Sequence, residues 1–201
     1  MNPTTDFAIV ILAAGNSSRM GTSKQLLEVN GRTLLLHTVN SAIASQIPNI
    51  VVVLGANAEA HHVILKEKSA TVIVNNDWIK GMGSSLKLGV KKAIEQYTDV
   101  QAIMVMVCDQ PLISSIHINN LVKAYQQHGA IAVASHYNDT FGVPALFDRS
   151  VFSSLMKIGD EMGARQILKK LEQDLIPVPF IGGEIDLDTP EDYQKFIDGK
   201  S

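Results

Sequence analysis

Four polar, turn-forming segments carry the residue types that can do chemistry in this chain. The first is Ala13-Ala14-Gly15-Asn16-Ser17-Ser18-Arg19-Met20-Gly21-Thr22-Ser23-Lys24. Its small residues let backbone N–H groups approach a phosphate, and Arg19 and Lys24 add mobile positive charge. It contains neither the GxxxxGK[ST] of a Walker loop nor the GxGxxG of a dinucleotide fold. The same residues also read as a solvated Gly/Ser loop with two surface cations. The second segment is Cys108-Asp109-Gln110-Pro111. A carboxylate at the end of an apolar run suits Mg²⁺, a hard cation that takes oxygen ligands and phosphates together. The plain alternative is an Asp turn that starts the next helix.

The third segment is Asp186-Leu187-Asp188-Thr189-Pro190-Glu191-Asp192. On an extended strand Asp186 and Asp188 point the same way, which suits a metal. Pro190 and the acids after it also fit a helix start, capped by Asp188 or Thr189. The fourth is Asn75-Asn76-Asp77-Trp78-Ile79-Lys80-Gly81-Met82-Gly83-Ser84-Ser85. Gly81 and Gly83 permit unusual backbone, and groups near Ser84 and Ser85 can read a base edge. Taken alone, this segment reads better as a capped helix start with Trp78 packed as an anchor. The histidines give no site. His61 and His62 diverge by about 100° on a helix, and His37, His117, His128 and His136 have no i, i+4 partner. All six read as structural or surface residues. Cys108 lacks a paired His, and Met20 and Met82 read as packing.

These segments need elements to position them. Near-continuous apolar runs at Phe7–Ala13, Ile50–Leu54, Thr71–Asn75, Ala102–Val107 and Ala130–Ser135 read as strands buried on both faces. Helical patterns separate them, notably TLLLHTVNSAIAS, a stretch from about Ser114 to His128, and ARQILKKLEQ. Alternating strands and helices imply an α/β fold with a mostly parallel sheet and right-handed crossovers. Ligands bind at the carboxyl ends of such strands. The polar segments at 14–24, 75–85 and 108–111 all follow strands, so they are expected to converge on one sheet edge.

Composition excludes several classes of function. The chain has 201 residues, 46 % hydrophobic and 18 % charged, with a formal net charge of −3. A mildly acidic chain has no global electrostatic case for gripping nucleic acid or an anionic membrane. One cysteine excludes an internal disulfide and a multi-cysteine zinc site. No apolar run reaches the roughly 20 residues of a membrane span. The opening MNPTTDF has no basic, signal-like start. One domain over residues 1–201, in the cytoplasm, is expected.

Together, AAGNSSRMGTSKQLL, NDWIKGMGSSLKLG, CDQP and DLDTPEDY resemble the molybdenum cofactor nucleotidyltransferase family, most of all its cytidylyl branch. The resemblance runs from about Ile9 to Tyr193. It implies a Rossmann-like nucleotidyltransferase fold, and a Mg²⁺-dependent transfer of CMP from CTP to the terminal phosphate of molybdopterin. It also implies a molybdoenzyme downstream, such as a xanthine dehydrogenase-like hydroxylase. Ala13, Ala14 and Gly15 would belong to the triphosphate loop, and Arg19 and Lys24 would contact phosphate. Asp109 would ligate magnesium with Asp188, or with Asp186 as its competitor. Gly81, Ser84 and Ser85 would contact base and ribose. Guanylyl members carry a second Gly where this chain has Ala14, whose methyl would narrow the pocket against a purine. Val143 and a longer segment from Gly159 to Arg165 depart from the family pattern where the acceptor is expected to dock. The other readings are guanylyl transfer, transfer to another phosphorylated metabolite, or a cofactor carrier without turnover. An NAD-binding oxidoreductase fails on the missing fingerprint and the cationic loop.

Overall fold

The structure is a computed structural model describing residues 4–199. Four of the expected strands appear as β1 (Phe7–Ala13), β4 (Asn49–Leu54), β5 (Thr71–Val74) and β6 (Ala102–Val107). They pair in parallel in the order β5-β4-β1-β6. β1 is buried at every residue, and its alternate side chains feed two cores. Ile9, Ile11 and Ala13 face one core, and Ala8, Val10 and Leu12 the other. Helices α1 (Leu34–Ile43), α2 (Ala58–Leu65) and α4 (Ser115–His128) cover the first face. Helices α3 (Met82–Gln96), α5 (Phe152–Met156) and α6 (Arg165–Lys170) cover the second.

Beyond β6 the sheet continues through β8 (Thr140–Asp148), β7 (Ala132–Tyr137) and β9 (Leu175–Pro179) to seven strands. β8 runs antiparallel to both neighbours, the one reversal in this sheet. β8 and β9 were not legible as strands. Gly142 and Pro144 interrupt β8, and Pro177 and Pro179 interrupt β9. β9 tolerates its prolines because it pairs only with β7, at the sheet edge. A short hairpin, β2 (Glu28–Val29) and β3 (Arg32–Thr33), precedes α1. Helix α7 (Pro190–Ile197) starts at Thr189, which forms a capping box with Asp192. Thr189 therefore takes the cap and leaves the Asp188 carboxylate free for other contacts.

Helix α3 crosses β1 and β4 so closely that residue 89 must lack a side chain. A Cβ at Gly89 would lie 2.4 Å from Val10 Cγ1 and 2.9 Å from Val53 Cγ2. Gly89→Ala is therefore expected to destabilise the fold by about 1–3 kcal/mol through overpacking. Thermal melting checks this, and an unchanged Tm would mean that α3 shifts freely on the sheet.

Candidate active site

The carboxyl ends of β1, β5 and β6 bring three of the four segments to one edge, as the alternation of elements required. The fourth joins them because the Leu187 N–H donates to the Asp109 carbonyl at 3.0 Å and the Leu187 side chain is fully buried. At the centre is Lys24. Its Nζ donates to Asp109 Oδ2 at 2.8 Å and to Asp188 Oδ1 at 2.9 Å. Arg19 Nη2 holds the other Asp188 oxygen at 2.9 Å from an exposed position. Burial alone would lower the Lys24 pKa, but the charges and hydrogen bonds of Asp109 and Asp188 outweigh it and raise the pKa. Burial likewise works against Asp188 ionisation, and Lys24 and Arg19 reverse it, holding this carboxyl below its usual range.

Gln25, unassigned from sequence, holds the loop that delivers Arg19 and Lys24. It is 1 % exposed. Its Nε2 donates to the carbonyls of Ala13 and Gly15, and its Oε1 accepts from the hydroxyls of Ser17 and Ser23. The Ser17 oxygen in turn accepts the Lys24 N–H at 2.9 Å. Since the Ser23 hydroxyl is donated to Gln25, the His61 Nε2 2.7 Å away must be the donor to Ser23. His61 is fully buried, and burial lowers its pKa, so it stays neutral. Its role is structural, as expected, but it supports the cationic loop. The only signal for Gln25 was an amide placed between a lysine and an apolar pair.

Three clefts meet at this cluster. Gly15, Asn16, Ser17, Ser18 and Arg19 line a 160 Å³ cleft that ends at Lys24 and Asp188. A 430 Å³ cleft extends from Gly15 and Lys24 past Ala14, Trp78, Gly81 and Ser85. A third, of 200 Å³, holds Tyr137, Val143, Arg165 and Asp186. Asp109 and Met82 line both larger clefts. Trp78 and Met82, read from sequence as packing, are therefore cleft walls, and Met82 is 48 % exposed. Met20 is buried, as expected. Ala13 is a buried strand residue that meets the loop through its carbonyl. Ser84 lines a separate cleft with Lys80 and Lys87, and its hydroxyl donates to the Gly81 carbonyl at 2.7 Å. Ser85 is buried and receives the Asn75 amide at 2.9 Å.

The expectation that Asp186 and Asp188 face the same way is overturned. The Asp188 N–H donates to the Asp186 carbonyl at 3.2 Å, so the chain turns there and strand alternation does not apply. Asp188 meets Lys24 and Arg19, while Asp186 faces the third cleft. Burial, then the nearby charges of Asp109 and Asp188, push the Asp186 carboxyl up to about 7. Burial, then the Asp109 charge, push the Cys108 thiol up to about 12, so it keeps its proton.

No three His, Cys, Asp or Glu side chains among the described residues converge to enclose a metal by themselves. Asp109 Oδ1 is nevertheless buried without a partner. Two carboxylates with a spare oxygen fit Mg²⁺, which typically takes one or two carboxylates and completes its shell with phosphate oxygens.

Residues 9–175 match the MobA-like NTP transferase domain family. The chain belongs to that family. The chain is a nucleotidyltransferase, and its α/β sheet is of the Rossmann-like kind found in solved nucleotidyltransferases. Among curated proteins, the purine catabolism protein PucB of Bacillus subtilis (strain 168) is 30 % identical over 197 residues, 92 % of each chain. The nicotine blue oxidoreductase of Paenarthrobacter nicotinovorans is 29 % identical over 198 residues, covering 94 % of this chain and 95 % of that one. Among solved structures, the manganese complex of Rv0371c from Mycobacterium tuberculosis H37Rv superposes with a TM-score of 0.78 at 22 % identity, covering 96 % of this chain and 99 % of that one. Molybdopterin-guanine dinucleotide biosynthesis protein A from Archaeoglobus fulgidus gives 0.67 at 19 % identity, covering 96 % and 100 %. Among the described residues no helix is long and apolar enough to cross a membrane.

The Asp186 carboxyl titrates higher in the folded chain than its ordinary 3.8. The fold then binds this proton more tightly than the unfolded chain, so stability from this group falls as pH rises from 3.8 towards about 7. In metal-free protein Asp186→Asn is expected to raise Tm at pH 8 by more than at pH 5. Equal shifts at the two pH values would contradict the raised titration of this carboxyl.

Proposed function

We propose that this enzyme transfers CMP from CTP to the terminal phosphate of molybdopterin and releases pyrophosphate, with Mg²⁺. The observation that carries the reading is Lys24 bridging Asp109 and Asp188 where the three clefts meet. The 430 Å³ cleft would take the nucleoside, the 160 Å³ cleft its β- and γ-phosphates, and the 200 Å³ cleft the acceptor. The α-phosphate then lies over Asp109, on the wall that the two larger clefts share.

An acceptor phosphate oxygen forms a bond to the α-phosphorus, and the bond from that phosphorus to the bridging oxygen of pyrophosphate breaks. Pyrophosphate leaves with the electron pair. A phosphate monoester has a second pKa of about 6, so the attacking oxygen is already anionic at neutral pH. No general base is needed, which agrees with a His61 buried behind the loop with its Nε2 on Ser23, and with an un-ionised Cys108. Catalysis reduces to alignment and charge neutralisation. Lys24 can exchange one of its two carboxylate contacts for a phosphate oxygen, and Arg19 neutralises charge growing on the pyrophosphate. Asp109 and Asp188 would hold a magnesium ion, which would supply charge neutralisation at the phosphates.

Two further supports concern specificity. The Ala14 methyl lines the nucleoside cleft, where it packs against Gly55. That narrows the cleft and favours a pyrimidine. PucB is named for purine catabolism, which agrees with a purine-oxidising molybdoenzyme as the recipient of the product. The relative named as an oxidoreductase supports a second reading, redox chemistry on this scaffold. The cation and carboxylate cluster favours nucleotidyl transfer over it.

Pyrophosphate release with Mg²⁺ and molybdopterin, measured separately with CTP, GTP, ATP and UTP, tests the reading. Release with CTP well above the others is expected. GTP preference would keep the reaction and overturn the branch, and NADPH consumption without pyrophosphate would favour the oxidoreductase. Tight pterin binding with no nucleotide binding would indicate a carrier. Ala14→Gly is expected to raise the GTP rate relative to CTP. Lys24→Ala and Asp109→Ala are each expected to lower kcat by about 10²–10³, by analogy with the loss of an oxyanion-hole donor. Near-normal turnover in either folded variant would remove that residue from the mechanism.

A further inference from the structure

Among the described residues, two of the buried side-chain atoms without a partner sit on consecutive residues, Asp109 Oδ1 and Gln110 Oε1. The proposed magnesium site accounts for the first. Nothing above uses the second. Gln110 is 2 % exposed. Its Nε2 donates to the Gly183 carbonyl at 2.9 Å. A carbonyl only accepts, so the amide cannot flip, and Oε1 must keep its place. A buried acceptor left unpaired lowers stability, and such an atom in a cleft points to a ligand donor that meets it.

Gln110 lines the 200 Å³ cleft. Val105, Val107 and Val143 give that cleft aliphatic walls, and Asp109, Tyr137, Arg165 and Asp186 supply further polar groups. Gly142 makes room for the tyrosine, since a Cβ there would lie 2.0 Å from Tyr137 Oη. Aliphatic walls suit the faces of a flat ring. A sugar carries hydroxyls on every side, and those turned to the valines would go unpaired, which is costly. A heterocycle carries its N–H donors in the ring plane, so it can meet one buried acceptor at its edge while its faces stay against valine.

We propose that Gln110 Oε1 accepts a hydrogen bond from a ring N–H of the acceptor, and that this cleft thereby selects a heterocyclic phosphate ester over a sugar phosphate. This rests on the nucleotidyl transfer reading. Both are tested by initial rates of pyrophosphate release from Mg·CTP with the full chain. Wild-type protein is compared on molybdopterin and on glucose 1-phosphate, followed by Gln110→Met and Gln110→Asn on molybdopterin. Glucose 1-phosphate is expected to be at least about a hundredfold poorer in kcat/KM, the discrimination that unpaired polar groups commonly bring. Each variant is expected to raise the acceptor KM about tenfold, equivalent to ~1.4 kcal/mol, with the CTP KM within about twofold of wild type. A merely structural Gln110 would lower Tm and move both KM values together. Comparable use of glucose 1-phosphate by wild type would overturn the inference. So would an unchanged acceptor KM in a variant that melts with wild type, or a common shift of both KM values. If both variants unfold, the wild-type comparison decides. Wild type that releases no pyrophosphate with any nucleotide fails the nucleotidyl transfer reading, and this inference falls with it.

Discussion

The site depends on keeping one ammonium between two carboxylates that would otherwise repel each other. Asp109 and Asp188 are 79 residues apart in sequence, yet both reach Lys24 Nζ within 2.9 Å. Two partly buried anions in one corner are tolerable only with a cation between them. Lys24 therefore has a structural task before any ligand arrives, and its raised pKa ensures that it keeps its charge. The same geometry suits a ligand that brings both anionic phosphate and a cation, because each can replace a contact that the resting cluster already makes.

The cluster would be useless on a loop free to move. Gln25 fastens that loop from beneath, taking two carbonyls with its amide nitrogen and two serine hydroxyls with its oxygen. The wall of the nucleoside cleft is fastened differently. The Gly83 N–H donates to the Asp160 carbonyl at 2.7 Å, and a Cβ at Gly83 would come within 2.1 Å of the Gly159 carbonyl. The long segment from Gly159 to Arg165 thus lies directly on the start of α3. It joins the wall of one large cleft to the wall of the other, because Arg165 lines the 200 Å³ cleft and Met82 lines both. The longer segment, expected at the acceptor's docking place, thus also packs on the helix start.

Burial divides the titratable groups into those that act by charge and those kept neutral. Lys24 and Asp188 stay ionised because each has an opposite charge in contact. Asp186 has two like-charged carboxylates nearby, and its proton stays on to higher pH. His117, buried against Ser135 and stacked on Phe180, is lowered to about 4 and stays neutral. No described histidine is placed to act as a base at the cluster, which suits a reaction whose nucleophile is already an oxyanion.

Much of the fold was legible, because hydrophobic periodicity reports burial directly. The strands Phe7–Ala13 and Ala102–Val107, the helix from about Ser114, and the convergence of the loops at one sheet edge all follow from residue order, whereas the last helix's cap stayed open between Asp188 and Thr189. The resemblance of the four segments also indicated the family that residues 9–175 match. The proline-broken strands β8 and β9 were not legible, because their pairing is set by the sheet edge they join rather than by their own pattern. Gln25 and Gln110 were equally silent. An amide declares no role in sequence; its role comes from which of its two ends is satisfied, and only packing settles that. The opposite fates of Asp186 and Asp188 were decided by the backbone turn between them, which no spacing rule encodes. Sequence alone determined which chemical groups the chain carries and roughly which end of the sheet they reach. Tertiary structure decided which of them share a charge, because electrostatic and hydrogen-bond energies depend on distances of a few ångströms that only the packed chain sets.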